Sequence, residues 1–428
     1  MRRFLPACLV AIAAVAGAAI ATPALAQDYV IHAGSVIADA GGEPSGPATI
    51  TVADGRIVAI EDGFLPVPEG AEMVHLPDHT LVPGLIDLHV HLTGDPGGDF
   101  WKGATEPAEW DVILGVKNAG LTVRAGFTTV RDPGSAGQTA FVLRRATDEG
   151  LVVGPRIVAA GPALSIIGGH GDVSGFLPEV NDLLSSGFTC TGPVECAAKV
   201  RVAARNGSDV IKITATGGVL SQQGRGLEAH FTDEEMRAIV DTAASLGLKV
   251  AAHAHGARGI EAAARAGVQT IEHGTYVDRQ AAIAMREEGT ILVPTLMAFQ
   301  GVSERLDRGI YTPVVEEKIR AVADVAGSLV TRARAEGVTV AFGTDAGVFP
   351  HGRNAEEFAL LIGQGMTSRE AFASATTVAA GVLGMENEIG RLAPGYSADI
   401  VAVKGNPLVD ATVLENIDWV MVRGRIVE

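Results

Sequence analysis

Positive charge is in short supply in this sequence. Its 33 lysines and arginines face 50 aspartates and glutamates, a formal charge of −17. No basic cluster occurs beyond the first residues, so no nucleic-acid partner is expected, and acidity of this kind serves solubility. After residue 26 no run is long and apolar enough to span a bilayer. No short-period repeat and no low-complexity tail is present. No G-x-G-x-x-G follows the first apolar strand of the central region, which argues against a dinucleotide-binding open sheet. Cysteine is scarce, with three in 428 residues.

Residues 1–26 read as a signal peptide. Arg2 and Arg3 open it, "FLPACLVAIAAVAGAAIA" is its apolar stretch, and "ALA" before Gln27 offers a small-residue cleavage site. The mature chain is then expected in the periplasm or secreted, without a membrane partner; the alternative is that the segment stays as an anchor. Losing Arg2 and Arg3 carries −17 to −19. Cys8 leaves with the signal. Cys190 and Cys196, in "CTGPVEC", remain, either as a small-loop disulfide suited to an oxidising compartment or as two free thiols.

The length suits one large domain and a smaller one. Residues 27–82 show alternating apolar and polar positions with Asp-Gly turns, and residues 386–428 look similar. These two end segments are expected to pair into a small β-sandwich domain. Between them, over 83–385, short apolar strands are expected at 84–91, 127–131, 155–160, 209–214, 249–254, 269–273, 291–295 and 339–345. Alanine-rich helical stretches separate most of them. "FTDEEM" supplies a helix start, with Thr232 as N-cap and Glu235 three residues on. Residues 295–338 read as amphipathic helix covering the gap between strands seven and eight. Eight strands with intervening helices predict an α/β fold, a (β/α)8 TIM barrel; a doubly wound open sheet is the competitor.

The stretch "PGLIDLHVHL" reads as a buried strand, yet Asp87, His89 and His91 share one of its sides. In a barrel, chemistry gathers at the C-terminal strand ends. His89 and His91 end strand one, Lys212 lies in strand four, His253 ends strand five, His273 strand six and Asp345 strand eight. Each alone has a plainer explanation: a hydrogen-bonded core histidine, a lysine reaching for water, an aspartate capping a turn. Their joint placement at one end of the barrel points instead to a metal site, since imidazole and carboxylate suit zinc and similar divalent ions. An ammonium does not; Lys212 could contribute as a neutral amine or as a carbamate.

In order, "LVPGLIDLHVHL", "VIKITATGG", "AAHAHG", "IEHGTY", "AFGTDAG" and the closing "GRLAPGYSADIVAV" resemble the amidohydrolase superfamily, over essentially the whole mature chain. The lysine on strand four, "HAHG" and "HGTY" look most like its Xaa-Pro dipeptidase and ochratoxin-hydrolysing branch. The resemblance implies two divalent ions, zinc foremost. His89, His91 and Asp345 would hold one and His253 and His273 the other, bridged by Lys212 carboxylated by CO2. It leaves His255 outside the metal ligands, either orienting the site or simply beginning the next helix, and Asp87 as support. It implies hydrolysis of an amide, with Asp345 moving the proton from the nucleophile to the leaving nitrogen and His170 stabilising the carbonyl oxygen. It assigns Tyr276 to the substrate's terminal carboxylate, with a packing role as the alternative. Arg225 is a second carboxylate partner or a solvated loop arginine. The expected substrate is a small molecule, a dipeptide or N-acyl amino acid with a free carboxylate, Xaa-Pro and ochratoxin-type amides included. A homo-oligomer is expected from the same resemblance. The competing readings are a cyclic-amide or deaminating hydrolase with a single metal and a degenerate barrel that only binds.

Overall fold

The computed structural model describes residues 28–97, 102, 104–222 and 226–428. The signal segment 1–26 and Arg225 lie outside the described residues.

Strands from both ends of the chain make one sheet. They are β1 (Tyr29–Val36), β2 (Ala48–Ala53), β3 (Arg56–Asp62) and β4 (Glu72–Pro83), with β12 (Ile400–Val403), β13 (Ile417–Val422) and β14 (Arg425–Ile426). Their order is β14-β13-β12-β4-β1-β2-β3. This is a single hydrogen-bonded sheet, where two stacked sheets were expected. The twelve-residue β4 is the reason: it pairs with β1 along most of its length and with β12 over its last four residues, so it carries the sheet from one chain end to the other. The sheet has its own core, in which Ile31, Ile50, Leu81, Ile400 and Met421 are buried together.

Between these ends strands and helices alternate. In order they are β5 (Leu85–Asp87), α1 (Ala108–Arg124), β6 (Phe127–Asp132), α2 (Thr139–Asp148), β7 (Arg156–Ala159), α3 (Pro178–Leu184) and α4 (Pro193–Asn206). Then follow β8 (Ile211–Thr214), α5 (Asp233–Ser245), β9 (Val250–Ala254), α6 (Ala257–Arg265), β10 (Thr270–His273), α7 (Arg279–Glu288) and β11 (Ile291–Val293). Six further helices close the region: α8 (Leu296–Ser303), α9 (Pro313–Ala326), α10 (Leu329–Ala335), α11 (Glu357–Gly363), α12 (Ser368–Ser374) and α13 (Thr377–Leu383). The capping box read at Thr232 and Glu235 forms at the start of α5. The stretch 295–338 is broken into α8, α9 and α10.

β5, β6 and β7 pair in parallel, as do β8 to β11. The two sheets meet edge to edge: Leu164 bridges Ile213, Leu292 bridges Val340, and Leu88 N–H donates to Phe342 O at 3.0 Å. The strand-like segments therefore follow one another round a ring. The eighth position, expected as a regular strand over 339–345, is irregular. Phe342 N–H turns away to Ser374 O, and Gly343 lies so close to Val293 that an added Cβ would stand 2.3 Å from its Cγ1. Cys190 and Cys196 form a disulfide at the start of α4. No helix among the described residues is long and apolar enough to cross a membrane.

Candidate active site

The ring's strand ends open into one cavity of ≈ 250 Å³, and His89, His91, Lys212, His253, His273, Asp345 and His170 all line it. They come from six separate places in the chain, His89 and His91 sharing one, and meet because each lies in, ends or follows a short buried strand or strand-like segment. β9 and β10 are buried throughout, so their last histidines have nowhere to point but the cavity or the core. Asp345 and His273 both take left-handed backbone conformations, with φ of 64° and 71°. Such a conformation costs about 1–3 kcal/mol for a non-glycine residue and persists where surrounding contacts hold it.

Two groups of potential ligands form. His89, His91 and Asp345 offer atoms within 4.8 Å of one another, and so do His253, His255 and His273. In the first group Asp345 Oδ1 stands 3.5 Å from His89 Nε2 and 3.2 Å from His91 Nε2. It is buried, yet no hydrogen bond of good geometry reaches it. The other ring nitrogens explain the arrangement. His89 Nδ1–H donates to Glu272 Oε2 at 2.7 Å, and His91 Nδ1–H to the Gly134 carbonyl at 2.6 Å. Both partners only accept, so each neutral ring turns its Nε2 lone pair inward, as a metal ligand must. An orphaned carboxylate oxygen facing two such nitrogens fits a divalent cation.

The second group contains a residue that sequence reasoning left out. His255 does not simply open α6. Its N–H donates to Thr216 Oγ1 at 3.0 Å and its Nδ1 pairs with Thr275 Oγ1 at 2.6 Å, which holds the ring inside the cavity against His273. His273 Nδ1 pairs with Thr295 Oγ1 at 2.7 Å, and His253 Nε2 faces the Gly217 carbonyl at 3.3 Å. The "HAHG" spacing carried the signal: two residues apart at a strand end, both rings can face one way.

Beneath the ligands lies a buried charge pair that the motifs did not disclose. Arg131 donates to Glu272 Oε1 at 2.8 Å and to the Leu88 carbonyl at 2.6 Å, and both side chains are all but inaccessible. Burial pushes the Glu272 carboxyl up, but Arg131 and His89 more than offset this and hold it well below the usual range. Lys212 shares this environment. Burial brings it down to about 8, with Arg131 adding to the fall and Glu272 and Asp345 resisting it. Burial lowers His89 to about 4, helped by Lys212. Asp345 stays below the ordinary carboxylate value because His89, His91 and Lys212 outweigh its burial.

His170 sits across the cavity with its ring 4.3 Å from that of His253. Its Nδ1 pairs with Ser221 Oγ at 2.6 Å. Burial, with Lys212 and Lys318 nearby, lowers it to about 3, so the ring is neutral. Apart from Thr214 the rest of the wall is mostly apolar, with Val219, Leu220, Phe299, Val302 and Val348. Tyr276 is not brought to this cavity; its hydroxyl donates to the Ala321 carbonyl of α9 at 3.4 Å. Asp87 lies under the strand-one histidines and accepts from His89 N–H at 3.0 Å.

The chain matches the amidohydrolase family over residues 80–427. It is 32% identical to the ochratoxinase of Aspergillus niger over 416 residues, 91% of this chain and 84% of that protein. The structure of A. niger ochratoxinase superposes with a TM-score of 0.80 at 30% identity, covering 94% of this chain and 96% of that one. A Xaa-Pro dipeptidase with methionine bound in its active site gives a TM-score of 0.86 at 38% identity, over 94% of this chain and 99% of the other. A prolidase complexed with N-methylphosphonate-L-proline gives 0.85 at 32%, with the same coverage. These relatives imply a TIM-barrel-like fold with an additional domain.

Proposed function

The chain belongs to the amidohydrolase family, a metal-dependent hydrolase acting on amide bonds, and on that premise we propose that it is an exported enzyme with two metal ions that releases a C-terminal amino acid from dipeptides or N-acyl amino acids. The observation that carries this reading is the pair of three-residue ligand groups opening with Lys212 onto one cavity. His89, His91 and Asp345 would hold one ion, and His253 and His273, with His255 beside them, the other. Zinc suits this nitrogen and oxygen set best. When bound, the ions would lower the pKa of water from ~15.7 towards ~7 and polarise the amide carbonyl.

The side chains have distinct work. Lys212, lowered to about 8, is partly a neutral amine near neutrality. A neutral amine adds CO2 and loses a proton to give a carbamate, whose two oxygens can bridge the two ligand groups. Asp345 Oδ1 is free of hydrogen bonds and can take a proton from the nucleophile and hand it to the departing nitrogen. With Ser221 Oγ–H donating to Nδ1, His170 presents Nε2–H to the carbonyl oxygen as negative charge builds there. It does so as a neutral ring, with no need to be protonated.

The apolar wall favours a released amino acid with an uncharged side chain, proline and aromatic residues included. The bound methionine of the dipeptidase relative and the ochratoxinase relative support that choice. The test is a panel of dipeptides and N-acyl amino acids offered to the zinc-loaded enzyme. Cleavage of Xaa-Pro or N-acyl-phenylalanine is expected, with basic and acidic C-terminal residues poorer by tenfold or more. Hydrolysis confined to cyclic amides would sink the reading.

A further inference from the structure

Three residues past the Asp345 turn stand three apart: His351, Asn354 and Glu357. Asn354 opens the 3-10 turn Asn354–Glu356, Glu357 directly follows it and His351 lies in the turn just before it; they are 0%, 0% and 5% exposed. Buried polar groups cost free energy unless bonded, and apolar side chains would fill this space without that cost. Each of the three reaches beneath a different part of the cavity.

His351 Nε2 approaches the carbonyl oxygen of His91 at 3.2 Å, and its Nδ1 pairs with Thr122 Oγ1 at 3.0 Å. Asn354 Nδ2 donates to Asp87 Oδ2 at 2.8 Å. That same carboxylate accepts from His89 N–H and, at 2.6 Å, from Thr344 Oγ1, so it ties the strand-one histidines to the turn that carries Asp345. Glu357 spreads its two oxygens over α8, accepting from Leu296 N–H at 2.9 Å and Met297 N–H at 2.7 Å. The residue before them, Thr295, is held in a left-handed conformation with φ 49°, and its hydroxyl meets His273 Nδ1. One short segment thus grips both ligand groups from below.

We propose that His351, Asn354 and Glu357 are positioning residues, a buried clamp that fixes the separation of the His89/His91/Asp345 group from the His253/His255/His273 group. None touches substrate. The inference rests on the two-metal reading above. Asn354 acts on the first group through Asp87, and Glu357 on the second through Thr295.

The test is zinc withdrawal from the full-length holoenzyme by chelator competition, with melting temperature measured alongside. The variants are Asn354→Ala, Glu357→Ala and Glu357→Gln. Ser374→Ala is the control, equally buried but with its hydroxyl bonded only within α12, to the Ala371 carbonyl, and its backbone bond to Phe342 kept by alanine. Asn354→Ala and Glu357→Ala should each weaken one of the two ions by about 10–100-fold, while the control holds both as wild type does. Glu357→Gln keeps one acceptor and should regain part of the affinity. Variants that melt earlier yet hold both ions as tightly as wild type would overturn the clamp. If Glu357→Ala does not fold, Asn354→Ala and Glu357→Gln decide, and wild-type affinity in both overturns it. Should wild type itself hold a single ion, the two-metal reading fails; the variant-to-wild-type affinity ratio for that ion still judges the clamp.

Discussion

Glu272 links the ligand His89 to the buried guanidinium of Arg131. A carboxylate behind a metal-binding imidazole fixes its tautomer and strengthens it as a ligand. Glu272→Gln should therefore weaken zinc binding about 10–100-fold in a chelator competition; unchanged affinity would remove Glu272 from the account. The histidines also set a pH dependence for the metal-free protein. Burial lowers His89 to about 4 and His170 and His255 to about 3, and holds His253 and His273 well below the imidazole value of 6.5. The unfolded chain takes up protons near pH 6.5 that the folded chain refuses until much lower pH, so stability present above 6.5 is lost as pH falls towards 4. Asp87 and Asp132, each pushed up to about 6 by burial, Glu357, pushed well above the ordinary carboxylate value by the same cause, and His91, which burial lowers but Asp345 and Asp132 hold above the imidazole value, act in the opposite direction but are outnumbered. The melting temperature of the zinc-free protein should fall between pH 7 and pH 5; a rise would contradict this balance. The strand-end histidines, Lys212 and Asp345 were legible because strand periodicity and barrel topology point them one way. Glu272, Arg131 and the clamp were not, because a buried polar residue between apolar neighbours gives no sign of its partner, 141 positions away for Arg131 and Glu272.

At the scale of elements, β6 to β11 fall where apolar runs and alanine-rich stretches put them, and the box at Thr232 forms; the first strand, expected over 84–91, is regular only over Leu85–Asp87, so His89 and His91 follow it instead of ending it. The eighth segment departs from its apolar pattern because it must do two things. It completes the ring through Val340 and Phe342, and it turns sharply to aim Asp345 at His89 and His91. Gly343 permits the close approach: a Cβ there would stand 2.3 Å from Val293 Cγ1 and 3.2 Å from the His89 backbone nitrogen. Gly343→Ala should cost about 1–3 kcal/mol of stability by overpacking and weaken the ion held by Asp345. Denaturant unfolding with a parallel zinc titration checks both; wild-type values in both would show that the segment has room to give. At the chain ends, where a small β-sandwich was expected, the strands form one continuous hydrogen-bonded order. Alternation reveals which face of a strand is buried, but not whether a long strand such as β4 will carry one sheet across the whole domain.

For the whole molecule, the sheet of the two chain ends and the ring share β4 and β5 in direct succession, so the strand-one histidines are only a few residues from the joint between them. The proposal of export gives the disulfide a purpose. Cys190 and Cys196 are separated by 6 positions, and closing so small a loop stabilises by about 2 kcal/mol in the chain-entropy view. Protein recovered after export should show no free thiol, and Cys190→Ser with Cys196→Ser should lower its melting temperature by a few degrees. Two reactive thiols in the exported protein would separate the pair from that compartment. The central claim is that side chains from distant parts of the chain converge on two cations, with Lys212 between them. Metal analysis of the purified chain, beside a Lys212→Ala variant, tests it most directly. Two ions per wild-type chain and a loss of metal with activity in the variant are predicted; one ion per chain, or a variant that keeps full metal and full activity, would contradict it.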